Sequence, residues 1–358
     1  MRFETNSHID VGARAALVAL WLACGTGARL HAQQAVDTTA APGPLLFQAT
    51  APLELTIRAD FGAIAKERGT TRHDHPGTLS YIAPAGDTVR LDVKLRTRGH
   101  FRLSRCQYAP LKVDFDKDKV GGTVFAGQNG LKLVGPCRSG RSYANYLLEE
   151  YLLYRVYNLL TDMSFKARLL RVTYVDPTTR DAPDTRYGFF IEEEDRMARR
   201  NRATVFKTPG VNQGETDPTQ MGLVAVFQYF IGNTDWSVGA LHNIVVLQDS
   251  VGVFYPVPYD FDWSGVISTP YAQPDPRLGI RIVRQRLYRA ECRSAETLAP
   301  LFARFIAHKD AISALYRDLE GLEPKRVEQA LDYYDEFYRT ITSVGDTRRE
   351  FMTTCQAR

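Results

Sequence analysis

Apolar and polar residues alternate with a period of two over residues 53–58, 89–96 and 111–115, and more briefly over 131–134. That alternation predicts half-buried β-strands. Gly121, Gly122, Gly127 and Gly130 punctuate the stretch before the last of them. Between Tyr143 and Leu160 the period changes: Leu147, Tyr151 and Tyr154, with Leu148, Leu152, Val156 and Leu159, recur at helical spacing and predict a helix. Strands resume at 169–175 and 187–191. The second half has another character. Residues 219–231 read as a strongly apolar helix stopped by Gly232, followed by strand-like segments at 243–248 and 252–257 and long amphipathic patterns at 295–319 and 325–344. No internal repeat is visible. A β-rich half with one helix, joined to a mainly helical half, predicts a two-lobed α+β arrangement divided into residues 47–194 and 195–358.

Composition narrows the class. The 358 residues are 44% hydrophobic and 24% charged, which is globular stock, and 45 basic against 41 acidic residues leave a net charge of only +4. Neither that balance nor the dispersed Lys and Arg residues favour a nucleic-acid partner. No apolar run reaches the roughly 18 residues of a membrane-spanning helix. At the start, Arg2 and Arg14 precede an apolar stretch from Ala15 to Cys24 and small residues up to Ala32. This pattern predicts a signal peptide over 1–32 and a Pro/Ala/Thr-rich linker over 33–46, hence a periplasmic or secreted protein. Trp21-Leu22-Ala23-Cys24 loosely resembles a lipobox, so a lipid anchor at Cys24 is the alternative.

Export changes the meaning of Cys106, Cys137, Cys292 and Cys355, which would meet an oxidising compartment. None is spaced as a zinc site. Three pairings are open, buried free thiols being the alternative; Cys106–Cys137 with Cys292–Cys355 is favoured because each pair stays within one half of the chain.

Common catalytic signatures are absent: no G-x-S-x-G, H-E-x-x-H, P-loop or G-x-G-x-x-G occurs. His73-Asp74-His75 sits among Gly, Thr and Pro and reads as a solvated loop, and Lys94, Arg96 and Arg98 form a basic strand face able to meet phosphate or merely water. Three other segments stand out. Gly232-Asn233-Thr234-Asp235-Trp236 leaves the apolar helix and runs on to His242-Asn243; Asp260-Phe261-Asp262 follows the strand pair; and Lys132 precedes a helix bearing Glu149 and Glu150. Phosphoryl transfer needs such parts: cations for the phosphates, hard oxygen ligands for Mg²⁺, and a base for the attacking hydroxyl. Asp260 and Asp262, two apart, share a side if extended. Asn243 can add an amide oxygen, with Asp235 as base and Lys132 as a charge on the phosphates. Taken singly, each has a plainer reading as a turn, a cap or surface charge.

In order and spacing, the set resembles the spore-coat-protein-H (CotH) family of atypical secreted kinases. Arg96-Thr97-Arg98-Gly99 is similar to that family's Arg-Gly strand end, Leu131-Lys132-Leu133 to its lysine strand, and the segment ending Glu149-Glu150 to its following helix, with Glu150 as lysine partner. Gly188 to Glu192 resembles the hinge strand, where Ile191 and Glu192 would meet adenine. The resemblance implies a protein-kinase-like fold with a β-rich N-lobe and a helical C-lobe. It also implies ATP with Mg²⁺ or Mn²⁺, a protein or glycan hydroxyl as acceptor, Asp235 as catalytic residue, Lys132, Glu150, Arg98, Ile191 and Glu192 on the nucleotide, and Asn243, Asp260 and Asp262 on the metal. The alternative is an exported pseudokinase acting as a structural or binding module. Asp235 and Asn243 stand eight apart, wider than in ordinary protein kinases, and residues 268–289 have no counterpart.

Overall fold

Seven strands close on themselves. In the computed structural model, which describes residues 45–353 and 355, the first half contains β1 (Leu53–Ala59), α1 (Phe61–Lys66), β2 (His75–Ile82), β3 (Thr88–Thr97), α2 (Phe101–Arg105), β4 (Leu111–Phe115), β5 (Gly130–Val134), α3 (Arg141–Leu160), β6 (Ala167–Val175) and β7 (Asp184–Ile191). Their order around the barrel is β1-β2-β3-β4-β5-β7-β6. β1 to β4 use the alternation to bury one face, while β5, β6 and β7 bury residues on both faces. The closing seam is parallel, β1 on β6, with Leu53 opposite Leu170 and Ile57 opposite Tyr174. Closure removes the unpaired edges that an open sheet would present. Leu55, Ile57, Leu79, Leu95, Val113, Leu131, Leu133, Val172 and Phe190 fill the interior. The signal peptide and Cys24 lie outside the described residues, as does most of the linker; Leu45–Phe47 already forms a short turn with Leu46 in the barrel core.

This closed barrel overturns the expected two-lobed, protein-kinase-like architecture with a β-rich N-lobe and a helical C-lobe. Two facts account for the difference. The β1–β6 seam joins residues more than a hundred positions apart, which no local periodicity announces. β2, which reads as loop because of Pro76 and Gly77, supplies a strand that joins β1 to β3. The halves are not separate bodies either: all described residues belong to one compact unit.

The remaining elements pack outside the barrel: α4 (Glu194–Arg200), β8 (Ala203–Phe206), α5 (Pro218–Ile231), β9 (Ile244–Asp249), β10 (Phe254–Pro258), α6 (Ala295–Ala307), α7 (Lys309–Arg317) and α8 (Pro324–Thr342). β8, β9 and β10 form a small antiparallel sheet in the order β10-β9-β8. The single amphipathic pattern at 295–319 is broken at His308 into α6 and α7. α3 and α5 are apolar on nearly every side, as helices enclosed by protein must be. They share one core, in which Tyr157 meets Phe227 at 4.5 Å and Phe189 of β7 meets Tyr154 at 5.6 Å.

α3 also carries two buried acids. Glu149 accepts from Arg326 Nη2 at 2.6 Å and Nε at 3.0 Å, and Arg326 donates in turn to the Ile267 carbonyl. Asn145, one turn earlier, exchanges hydrogen bonds with Glu323 at 2.7 and 3.2 Å, so α3 is fastened to the start of α8. The favoured cysteine pairing is present: Cys106–Cys137 and Cys292–Cys355 are disulfides, with Cα separations of 4.6 and 5.1 Å. They suit an oxidising compartment. Among the described residues no helix is long and apolar enough to cross a membrane.

Two predictions follow from this packing. The disulfides close segments of 31 and 63 residues, for which the chain-entropy model gives about 4 kcal/mol each. Reduction is therefore expected to lower Tm markedly, and Cys106→Ser with Cys137→Ser to reproduce part of the drop in calorimetry. Burial pushes the Glu149 carboxyl up to about 8 against the pull of Arg326. From its ordinary 4.5 up to 8 the folded chain then holds a proton that the unfolded chain has released, so stability falls as pH rises through that window. Glu149→Gln should flatten this slope in urea unfolding measured across the window.

Candidate active site

The apolar helix α5 ends because Gly232 takes a left-handed conformation, φ 68°, where a side chain would also collide with the Tyr333 hydroxyl. The chain then turns sharply. Asn233 Oδ1 accepts the Asp235 N–H at 2.9 Å, an Asx turn that aims the Asp235 side chain. Ser237 and His242 pair as an isolated β-bridge, with backbone bonds of 2.9 and 3.0 Å. This small hairpin explains how residues eight apart can touch: Asn243 Nδ2 donates to the Asp235 carbonyl at 2.8 Å and to its Oδ2 at 3.0 Å. His242 Nε2 lies 2.8 Å from Asp235 Oδ1. Both carboxylate oxygens are thus held.

The second loop is fixed to the same helix end. Gly265 and Val266 donate to the carbonyls of Gly232 and Ile231 at 3.0 and 3.1 Å. Phe261 anchors it in the core, 4.8 Å from Tyr154 and 5.5 Å from Phe227, and leaves Asp260 and Asp262 on either side. The Asp260 N–H donates to the Tyr154 hydroxyl at 2.9 Å, and the Tyr271 hydroxyl donates to Asp262 Oδ2 at 3.0 Å. Leu241, Asn243 and Asp260 have φ of 50°, 52° and 60°. Left-handed backbone is tolerable for Asn and Asp but strained for Leu, and such residues gather where the surrounding structure holds a precise site.

These loops face β3, β5 and α3 across a cavity of about 540 Å³. Of the residues singled out in the sequence, Arg98, Lys132, Glu150, Ile191, Asp235, Asn243, Asp260 and Asp262 all line it. Glu192 does not: it is buried, bonded to Arg200 at 2.9–3.2 Å and to the Lys166 N–H at 3.1 Å, and it fastens α4 to the barrel. The expected Lys132–Glu150 pair is also not formed. Lys132 Nζ meets Glu194 at 2.8 Å and lies 5.0 Å from the Tyr259 ring centre, whereas Glu150 faces Arg102 at 3.5 Å. Arg102, which the sequence reading missed, comes from α2, whose five residues are too few to give a periodic signal. Tyr154 and Trp263 were missed likewise, since nothing local distinguishes them, and His242, although inside the segment singled out from Gly232 to Asn243, was assigned no role.

Acidic groups crowd one another in the cavity. Burial pushes the Asp262 carboxyl up to about 7, with Asp260 adding to the rise and Arg102 opposing it. Burial also drives Glu150 well above the carboxylate range, Arg102 pulling against Asp262 and Asp260. Arg102, although burial opposes its charge, is held above its ordinary value by Tyr271, Glu150, Asp262 and Asp260. The hydrogen bond to Asp235 raises the His242 imidazole. Four acidic groups, Glu150, Asp235, Asp260 and Asp262, therefore share a site with Arg98, Arg102, Lys132 and His242.

Comparison with protein-family models, curated proteins and solved structures finds no match for this chain.

Removing one of the crowded charges should be visible directly. Asp260→Asn is expected to bring the Asp262 carboxyl down from about 7, read by side-chain carbon NMR. It should also raise stability at neutral pH by on the order of 1 kcal/mol. An Asp262 titration left in place would show that Asp260 is not its perturbing neighbour.

Proposed function

We propose that this cavity is the active site of a phosphotransferase that moves the γ-phosphoryl group of ATP onto a hydroxyl of an exported acceptor, a protein or a glycan. One observation carries the reading: Lys132, Asp235, Asn243, Asp260 and Asp262, drawn from separate stretches of sequence, line a single cavity. The CotH resemblance of the same residues is a second support.

The donor set suits a hard divalent ion such as Mg²⁺ or Mn²⁺. Asp260 and Asp262 supply crowded carboxylates, and Asn243, with its Nδ2 turned to Asp235, is left to offer its amide oxygen. Among the described residues no three His, Cys, Asp or Glu side chains form a metal-holding group. An ion here would therefore have to be held by one or two carboxylates and completed by phosphate oxygens. When bound, the ion would neutralise phosphate charge and relieve the repulsion between the aspartates.

The chain's own groups do the rest. Asp235, with Oδ1 and Oδ2 held by His242 and Asn243, is oriented to accept the proton of the acceptor hydroxyl. The acceptor oxygen bonds to the γ-phosphorus, the bond from that phosphorus to the bridging oxygen breaks, and ADP departs with the electron pair. Lys132 offers a point charge to the phosphates, and Arg98 a second cation beside Asp260. Ile191 gives the base of the nucleotide an apolar contact.

A second reading, a nucleotide-binding or structural module without transfer, is favoured by one feature: Lys132 and Glu150 have other partners. Two measurements separate the readings. ATP with Mg²⁺ should raise Tm in the parent protein, because a ligand bound only by the folded state stabilises it. Asp235→Ala should lower phosphoryl transfer by about 10²–10⁴-fold while leaving that Tm shift nearly intact. A Tm shift without transfer in the parent would establish the binding module; transfer at the parent rate in Asp235→Ala would remove the base assignment.

A further inference from the structure

One mouth of the barrel contains an arginine where an apolar residue would be expected. Arg186 of β7 stands opposite Val172 of β6. Val172 and Phe190 belong to the barrel interior, so Arg186, which shares their face, lies on the inward row at the point where that row reaches the opening. Its guanidinium lies between two rings, 3.6 Å from the centre of Tyr108 and 4.1 Å from that of Tyr174. Asp184, itself about half exposed, meets its Nε at 2.9 Å from the solvent end of the strand.

Beside Arg186 is a cavity of about 320 Å³ whose floor is Leu111, Leu133 and Ile64, with Phe61 and Ala65 of α1 along one side. Its wall is fixed in advance. The Cys106–Cys137 disulfide and the Tyr108 N–H on the Cys137 carbonyl, 3.3 Å, hold the segment that carries Tyr108. Arg68 adds bonds to the carbonyls of Leu103, Cys106 and Gln107 at 2.8–2.9 Å. A pre-formed, mostly apolar hollow with one placed charge is the usual form of a small-molecule site, and barrel mouths are a usual place for one. The hollow is distinct from the candidate active site, because β5 sends Lys132 to one cavity and Leu133 to the other.

We propose that this barrel mouth binds a small molecule with an apolar body and a single carboxylate. The body covers Leu111, Leu133 and Ile64, and the carboxylate lies against Arg186, whose planar fork suits two parallel hydrogen bonds. The charge selects the class: an uncharged apolar ligand would leave Arg186 with Asp184 at its outer edge and the two tyrosine faces but no partner inside the hollow, and a cation would face it directly. The inference does not depend on the phosphotransferase reading.

Octanoate and 1-octanol, the same chain with and without the charge, test it by isothermal titration calorimetry on the disulfide-intact chain. Octanoate is expected to bind saturably, with 1-octanol about tenfold weaker, the worth of one charge-assisted contact. Arg186→Met keeps the aliphatic stem and should weaken octanoate by about the same factor. Ala65→Phe fills the mouth from an exposed helix position without touching the core, and should abolish octanoate binding whether or not the arginine variant folds. Absence of saturable octanoate binding, 1-octanol binding as tightly as octanoate, or unchanged binding in Ala65→Phe would each overturn the proposal.

Discussion

Two adjacent glutamates on one enclosed helix, pointing different ways, tie this molecule together. Glu149 of α3 reaches Arg326 on α8, and Glu150 faces Arg102 on α2. Each carboxyl is taken out of water at a cost that its arginine offsets only in part, so both groups are raised above the usual carboxylate range. The pairs therefore specify where α8 and α2 must sit more than they add stability. Once α3 is so placed, Tyr154, one turn beyond Glu150, presents its hydroxyl to the Asp260 N–H. The loop of the two aspartates is thereby positioned from the same helix that joins the barrel to the rest.

The candidate site is built on that scaffold by two loops fastened to one helix end. Gly232 stops α5, and backbone bonds from Gly265 and Val266 stitch the aspartate loop to the same point. Precision comes from rigid neighbours, while the acidic groups are left close together. Burial and mutual repulsion raise the Asp262 and Glu150 carboxyls, and a sequence optimised for stability alone would not crowd acids in this way. This crowding is one ground for the phosphotransferase proposal.

Legibility differed from element to element for physical reasons. Strands β1, β3, β4 and β5 and helices α3, α5 and α8 lie close to where alternation and helical spacing put them, because each buries a continuous face. β2 was hidden by Pro76 and Gly77, which are tolerated where a strand begins, and α2 was too short to show a period. The cysteine pairing was favoured by keeping each pair within one half of the chain. Among the site residues, the acids after the apolar helix and after the strand pair stood out because glycines and aromatics isolate them. Arg102 carried no such mark, and His242, within a marked segment, had no role assigned to it.

Local pattern was therefore sufficient for most of the elements and for singling out a set of acids and a lysine that the fold brings to one cavity, and it favoured, without fixing, the disulfide pairing that is present. It was insufficient for the architecture. Whether the strands stay open or close depends on β1 meeting β6 in parallel, a pairing across more than a hundred residues that periodicity along the chain does not encode. Partner choice was equally out of reach: Lys132 chose Glu194 over Glu150, and Glu192 turned away to Arg200, because the direction of a long side chain depends on which charges the finished fold brings within reach. Spacing in sequence constrains neighbours within a few residues, whereas burial, ring closure and charge pairing are settled only when distant segments share the same few ångströms.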